Sequence, residues 1–137
     1  MRYLIDTNVL IRSQTDPSLL KDVLQIIENY ENRIYVSAVS IQEIYMLMQN
    51  GKLHVKSWKH AQDVFNTIEE ELGFTVDYVK KEHLLTFAGL EPVKGHADPS
   101  DRMIIAQAIT EKIPLISSDA KFKHYCRQNL DFIFNNA

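Results

Sequence analysis

The sequence predicts an α/β fold built on a mainly parallel sheet. Short apolar segments alternate with longer stretches whose apolar residues recur every three or four positions. Short parallel strands need helical crossovers, so this alternation selects a parallel sheet over a meander. No repeat, low-complexity tract or flexible linker interrupts the pattern, and the 4 Gly and 4 Pro stand singly, so one domain over residues 1–137 is expected.

Tyr3-Leu4-Ile5 reads as a buried strand that ends in the turn-forming loop Asp6-Thr7-Asn8. Asp16-Pro17-Ser18 opens a helix with Leu20, Val23, Leu24, Ile27 and Tyr30 on one face. Ile34-Tyr35-Val36 is the second strand. The helix after it, entered through Ser37 and Ser40, carries Ile41, Ile44, Tyr45 and Met48 and stops near Gly51. Trp58, Ala61, Phe65, Ile68 and Leu72 step by three and four as a helical seam ending at Gly73. Phe74-Thr75-Val76 is a third strand, and Glu82 to Leu90 a short helix with Leu84, Leu85, Phe87 and Ala88 available for burial.

Asp98-Pro99-Ser100-Asp101 combines a cap, a first-position proline and a first-turn acid, ahead of Met103, Ile104, Ala106, Ala108 and Ile109. Pro114 cannot continue that helix. Leu115-Ile116-Ser117 is a fourth strand running into Ser118-Asp119, a helix follows over Lys121 to Arg127, and Phe132-Ile133-Phe134 is an edge strand.

The chain has 137 residues, 45% hydrophobic and 24% charged, enough for one core without disulfides or a structural metal. Cys126 is the only cysteine, so no intrachain disulfide and no cysteine-based zinc set can form. No apolar run approaches the roughly 18 residues of a bilayer span, and Asp6 interrupts the N-terminal apolar segment before a signal core develops. A cytoplasmic protein without membrane contact is expected. The 15 Lys+Arg against 18 Asp+Glu leave a net charge of −3, which argues against coating nucleic acid by bulk charge. A local site remains open, because bound cations reverse the sign there.

In open parallel sheets the functional crevice lies beyond the carboxyl ends of the strands. Asp6, Glu43 and Asp119 fall at or soon after such ends, and the helix entered at Asp98 adds Asp98 and Asp101. Crowded carboxylates repel one another at a cost on the order of several kcal/mol, which a hard cation removes. Mg²⁺ is the expected occupant, with Mn²⁺ an alternative, since oxygen donors without a histidine pair at zinc spacing disfavour Zn²⁺. Each acid also has a purely structural reading. Asp6 can cap a turn, Glu43 can close a Ser40-Ile41-Gln42-Glu43 capping box, Asp98 is a natural N-cap, Asp101 suits the first turn, and Asp119 can cap the helix after it.

Four segments, in order and spacing, resemble the motifs of PIN-domain ribonucleases. They are Leu4-Ile5-Asp6-Thr7-Asn8-Val9-Leu10, Val36-Ser37-Ala38-Val39-Ser40-Ile41-Gln42-Glu43-Ile44, His96-Ala97-Asp98-Pro99-Ser100-Asp101-Arg102-Met103-Ile104-Ile105-Ala106-Gln107-Ala108, and Leu115-Ile116-Ser117-Ser118-Asp119-Ala120-Lys121-Phe122. The resemblance spans nearly the whole chain and is nearest to the VapC-type toxins of bacterial type II toxin–antitoxin pairs. It implies a three-layer α/β/α sandwich and a Mg²⁺-dependent endoribonuclease with an RNA substrate, a cognate antitoxin and a homodimeric state. It also implies a catalytic and metal-binding quartet of Asp6, Glu43, Asp101 and Asp119. Direct metal contact is assigned first to Asp6 and Asp101, with support from Thr7 or Ser118 and an outer contact from Asp98. Ser100 stands where the subgroup usually has Phe, which should alter local packing more than metal binding.

Arg102, Lys94, Lys121, Lys123 and Arg127 lie near these motifs in sequence and are candidates for phosphate contacts, with Tyr125 a candidate for base stacking. A solvated basic face competes as the reading of Lys123 and Arg127, and a carboxylate partner as that of Arg102. His54, His60, His83 and His96 match no metal spacing and read as surface or partly buried side chains, while His124 and Cys126, two apart, point in different directions. The glycines form no phosphate loop. Two rival functions stay open: a catalytically silent RNA-binding or interaction module on the same scaffold, and a Mg²⁺-dependent phosphoacceptor domain. The latter wants adjacent acids after the first strand and a lysine at a late strand tip, and the chain has neither.

Overall fold

The computed structural model describes residues Met1–Asn136. Five strands, β1 (Arg2–Ile5), β2 (Arg33–Ser37), β3 (Thr75–Asp77), β4 (Leu115–Ser117) and β5 (Phe132–Phe134), form one sheet in the order β3-β2-β1-β4-β5. Every pairing is parallel. β1 lies at the centre, with Ile5 opposite Val36 on one side and Ile116 on the other, and β5 is an edge as expected.

Successive side chains of a strand point to opposite faces, and the core divides accordingly. Ile5 and Ile116 pack into one cluster with Val9, Leu10, Ile41, Ile44 and Ile68. Leu4 and Leu115 pack into another with Ile104, Ile105, Phe122 and Tyr125. Both faces of the sheet are therefore covered by helices, the three-layer arrangement a parallel sheet requires. No helix among the described residues is long and apolar enough to cross a membrane.

Several local expectations are corrected. Asp6-Thr7-Asn8 makes no loop: Asp6 is the N-cap of α1 (Thr7–Thr15), its carboxylate accepting the Thr7 N–H at 2.7 Å. Turns and caps favour the same residue types because both rest on a short side chain bonding nearby backbone, so the cluster was ambiguous and the buried Val9 and Leu10 decide it. The helix expected from Pro17 to Tyr30 splits into a 3₁₀ turn (Pro17–Leu20) and α2 (Leu24–Glu28), leaving Tyr30 outside and exposed. Leu20 and Val23, three apart, both reach the core, and at Val23 the backbone leaves the helical region.

Next, α3 (Ala38–Gln49) starts directly after β2, with the Ser37 side chain accepting the Val39 N–H at 3.0 Å. Ser40 is therefore inside the helix, and the capping box with Glu43 does not form. The seam after Gly51 becomes α4 (Ala61–Phe65), continuing as a π-helical segment (Asn66–Glu71). Trp58 precedes it, buried and donating to Thr67 Oγ1 at 2.9 Å, while Ala61 faces solvent. In α5 (Lys81–Gly89) the buried residue is His83, and Leu84, Leu85 and Ala88 are exposed, contrary to the burial expected of them. β3 sits one residue later than expected and so ends in a buried acid, Asp77. α6 (Pro99–Glu111) ends at the left-handed Lys112, shortly before Pro114, and the segment after Asp119 is a 3₁₀ helix (Ala120–Gln128).

Candidate metal centre

Because β1 and β4 are parallel neighbours, the chain segments leaving their carboxyl ends emerge side by side. Asp6 follows β1 and is buried; its Oδ1 accepts the Thr7 N–H, and its Oδ2 accepts the Ser117 hydroxyl at 2.7 Å. The Thr7 Oγ1 donates to Glu43 Oε1 at 2.7 Å and lies 2.8 Å from Ser40 Oγ, so one residue braces two acids from different helices. Asp98 caps α6, its Oδ1 accepting the Ser100 and Asp101 N–H groups, and thereby aims Asp101 from the first turn. Asp119 caps the 3₁₀ helix through the Lys121 N–H at 2.9 Å, and its own N–H donates to Ser117 Oγ at 3.0 Å.

Electrostatics report the convergence. Burial pushes the Asp101 carboxyl up to about 8, and the charges of Asp6, Asp98, Glu43 and Asp119 all push in the same direction. Burial, more than charge, likewise raises Asp6, against the hydrogen bonds from Ser117 and Thr7, and raises Glu43, against the bond from Thr7. Asp6, Glu43, Asp119 and the capping Asp98 thus all lie near enough for their charges to act on Asp101, and of these acids Asp119 comes within 4.8 Å of it.

His96 joins it. This buried imidazole stands edge-on to Phe122 and Tyr125, with centroids 5.4 and 5.2 Å away. Its Nδ1 lies 2.8 Å from the Tyr125 hydroxyl, and its Nε2 has no hydrogen-bond partner and lies 3.4 Å from Asp101 Oδ2. His96, Asp101 and Asp119 can each bring one ligand atom within 4.8 Å of the other two. Burial lowers the imidazole's pKa and so favours its neutral form. Sequence spacing gave no sign of this, since the residues meet only through the loop before α6.

Other expected residues fall elsewhere. The hydroxyl on Asp6 belongs to Ser117, whereas Ser118 Oγ accepts from Asn135 Nδ2 at 2.8 Å. The Arg102 guanidinium donates to the Leu90 carbonyl at 3.2 Å and lies over the Phe87 ring, 5.3 Å from its centroid, which anchors the segment between α5 and α6. Tyr125 is fully buried and cannot stack on a base. His83 and His96 are buried too, unlike His54 and His60. Lys121 is exposed beside Asp119. Lys94, Lys123 and Arg127, with His124, line an open cleft of about 810 Å³ between the α5–α6 connection and the 3₁₀ helix.

A second polar cluster was not foreseen. Asp77, His83 and Glu111 meet beneath α5, where burial first, then the nearby acid Glu111, push Asp77 up to about 8. His83 Nδ1 accepts the Lys80 N–H at 2.9 Å, so Nε2 carries the proton and donates to Glu111 Oε2 at 2.9 Å. With both ring nitrogens engaged, His83 has no lone pair for a metal.

A family model described as "PIN domain" matches residues 3–128. Solved structures of similar fold include VapBC2 from Rickettsia felis bound to a promoter DNA fragment (18% identity, 98% of each chain covered, TM-score 0.67). VapBC-1 from nontypeable Haemophilus influenzae is similar over 100% of both chains at 15% identity and a TM-score of 0.69. VapBC-5 from Mycobacterium tuberculosis, described as a member of a toxin–antitoxin family, covers 99% of this chain and 98% of its own at 17% identity, with a TM-score of 0.57. No curated protein matches the sequence.

Proposed function

The chain belongs to the PIN-domain family, and from that premise we propose that it is a divalent-metal-dependent endoribonuclease serving as the toxin of a toxin–antitoxin pair. The observation that supports this reading is that Asp101 and Asp119 come within 4.8 Å of one another beyond the ends of the strands, with the charges of Asp6, Asp98 and Glu43 also acting on Asp101. The donor set fits a hard cation. A carboxyl pushed up to about 8 by burial and by its acidic neighbours keeps its proton at neutral pH only while no cation replaces it.

On this reading Asp101, Asp119 and Asp6 hold Mg²⁺ or Mn²⁺, with Glu43 completing the acidic wall. Such an ion, when bound, supplies positive charge to the phosphate being cleaved and acidifies water. The chain's own residues do the positioning. Ser117 and the Thr7 N–H fix the two oxygens of Asp6, so that carboxylate cannot turn away. The Thr7 hydroxyl holds one oxygen of Glu43 and leaves the other to accept a proton from an attacking water. Lys94, Lys123 and Arg127 give the cleft a positive lining suited to the phosphates of a bound strand, in a chain whose net charge is −3.

An antitoxin partner is supported by the neighbours of similar fold, VapBC proteins of which one is described as a member of a family of toxin–antitoxin systems. A homodimer and a cytoplasmic setting accord with that role. The test is cleavage of labelled RNA by purified protein with Mg²⁺ or Mn²⁺, against EDTA and against Asp101→Asn. Cutting that needs the ion and Asp101 is the expected result; RNA binding without cutting under both ions would make the protein a silent module instead.

A further inference from the structure

Nε2 of His96 is a buried polar atom with no hydrogen-bond partner, on a residue only 6% exposed, directed at the carboxylates of Asp101 and Asp119. A buried nitrogen in that condition is costly unless something engages it. The surroundings are those of a metal-ligating imidazole. Such a histidine gives its other ring N–H to an oxygen acceptor, which fixes ring and tautomer, and the Tyr125 hydroxyl stands 2.8 Å from Nδ1 in that role. The edge-on rings of Phe122 and Tyr125 clamp the imidazole further.

The spacing agrees. Two ligand atoms about 2.1 Å from one ion lie about 3.0 Å apart at a right angle and about 3.4 Å apart at a tetrahedral angle. Nε2 and Asp101 Oδ2 are 3.4 Å apart. The competing account is a hydrogen bond from a protonated Nε2 to Asp101, and at this length that bond is poor.

We propose that His96 Nε2 is a direct ligand of the divalent ion held by Asp101 and Asp119, which tilts this centre from Mg²⁺ toward Mn²⁺ and other first-row transition ions. The inference rests on the reading of the acidic cluster as a metal centre. An imidazole adds little to the affinity for Mg²⁺, which prefers oxygen and keeps its waters, and much more to that for transition ions.

Mn²⁺ alone, added to the intact metal-free protein, is the probe. Pulsed electron paramagnetic resonance of the Mn²⁺-loaded protein should show hyperfine coupling to one directly bound ¹⁴N, absent from His96→Gln. Calorimetry should show Mn²⁺ binding weakened about 10- to 100-fold in His96→Gln, by analogy with losses at ligand-supporting residues, with Mg²⁺ binding changed by less than about 3-fold. Tyr125→Phe should keep the coupling and weaken Mn²⁺ binding by a smaller factor. Because the decisive spectrum is that of the unmodified protein, a variant that fails to fold does not spoil the test. Mn²⁺ bound without ¹⁴N coupling overturns the role of His96 and leaves the carboxylate centre standing; no Mn²⁺ or Mg²⁺ binding at all overturns the centre itself.

Discussion

The Thr7 hydroxyl donates to Glu43 Oε1 at 2.7 Å, tying the first residue of α1 to an acid one turn into α3. The bond fixes a carboxylate whose proton affinity burial has already raised. It also explains why Glu43 stands free of helix capping, a task that falls to Ser37.

Replacing Thr7 by Val removes that donor at nearly constant volume and leaves the backbone N–H on Asp6 intact. RNA cleavage should fall about 10- to 100-fold, the usual effect of freeing a residue that supports a metal site. Stability should fall by about 1 kcal/mol. Thr7→Ser should restore most of the rate. A Thr7→Val protein that cuts at the original rate would show that Glu43 needs no such brace.

Asp101→Asn removes the carboxylate on which the other acids converge. Cleavage should drop below detection and Mg²⁺ affinity should fall by an order of magnitude or more, while the metal-free protein becomes more heat-resistant near pH 8 because one like charge is gone. Thermal melts in EDTA and calorimetric titration with Mg²⁺ would read both. A lower melting temperature together with unchanged Mg²⁺ affinity would remove Asp101 from the site.

The same residue sets a pH dependence. In the unfolded chain an aspartate titrates near 3.9, whereas folded Asp101 titrates near 8, so between these values the folded state binds more protons. Stability present at low pH is therefore lost as pH rises through about 8. Burial lowers His96, which contributes the opposite slope, but that slope lies below the imidazole's unfolded value of about 6.5. Metal-free protein should thus melt lower at pH 8.5 than at pH 7, and saturating Mg²⁺ should shrink the difference because the ion takes the proton's place. A difference that Mg²⁺ leaves unchanged would mean that the acids do not hold the ion.

The sheet was legible because its strands are short apolar runs set between turn and cap residues, and Asp6, Asp101 and Asp119 stood out as candidates because each caps or enters a helix. Boundaries were harder. Ser37 and Ser40 both suit an N-cap, and only the start of α3 directly after β2 settles which one serves. Ser117 and Ser118 are adjacent in sequence but engage different partners, so the hydroxyl on Asp6 is that of Ser117 and not of the expected Ser118, a choice that only the strand's side-chain alternation makes. His96, Tyr125 and the cluster of Asp77, His83 and Glu111 left no trace in spacing, because those partners meet only after α5, α6 and the 3₁₀ helix have packed.

The cleft offers a test of substrate contact separate from the chemistry. Lys123 and Arg127, four residues apart on the 3₁₀ helix, both line it, and none of Asp6, Glu43, Asp101 and Asp119 does. Lys123→Glu with Arg127→Glu should weaken RNA binding about 10-fold or more at moderate salt and flatten the salt dependence by roughly two counterions, whatever the RNA sequence. Mn²⁺ affinity should not change. If filter binding across a salt series gives the original slope, the strand runs elsewhere.

Asp77 provides a last, independent check, on stability alone. It is buried close to Glu111, and its carboxyl, pushed up to about 8 by burial and by the Glu111 charge, carries a proton at neutral pH. Below that value the two acids share one charge; above it a second charge appears with little water to screen it, and the contact between β3 and α6 loosens. The charges facing Asp77 from elsewhere are Lys80 and Arg2, which moderate the shift without cancelling it, and His83 spends its proton on Glu111. Asp77→Asn has nearly the same shape and cannot ionise. Its stability should match the parent near pH 6 and exceed it near pH 9, by an amount on the order of 1 kcal/mol. The gain should persist in saturating Mg²⁺, since His83 leaves no ligand position there. A variant that is less stable than the parent at both pH values would show that the Asp77 carboxyl serves some contact that the amide cannot make.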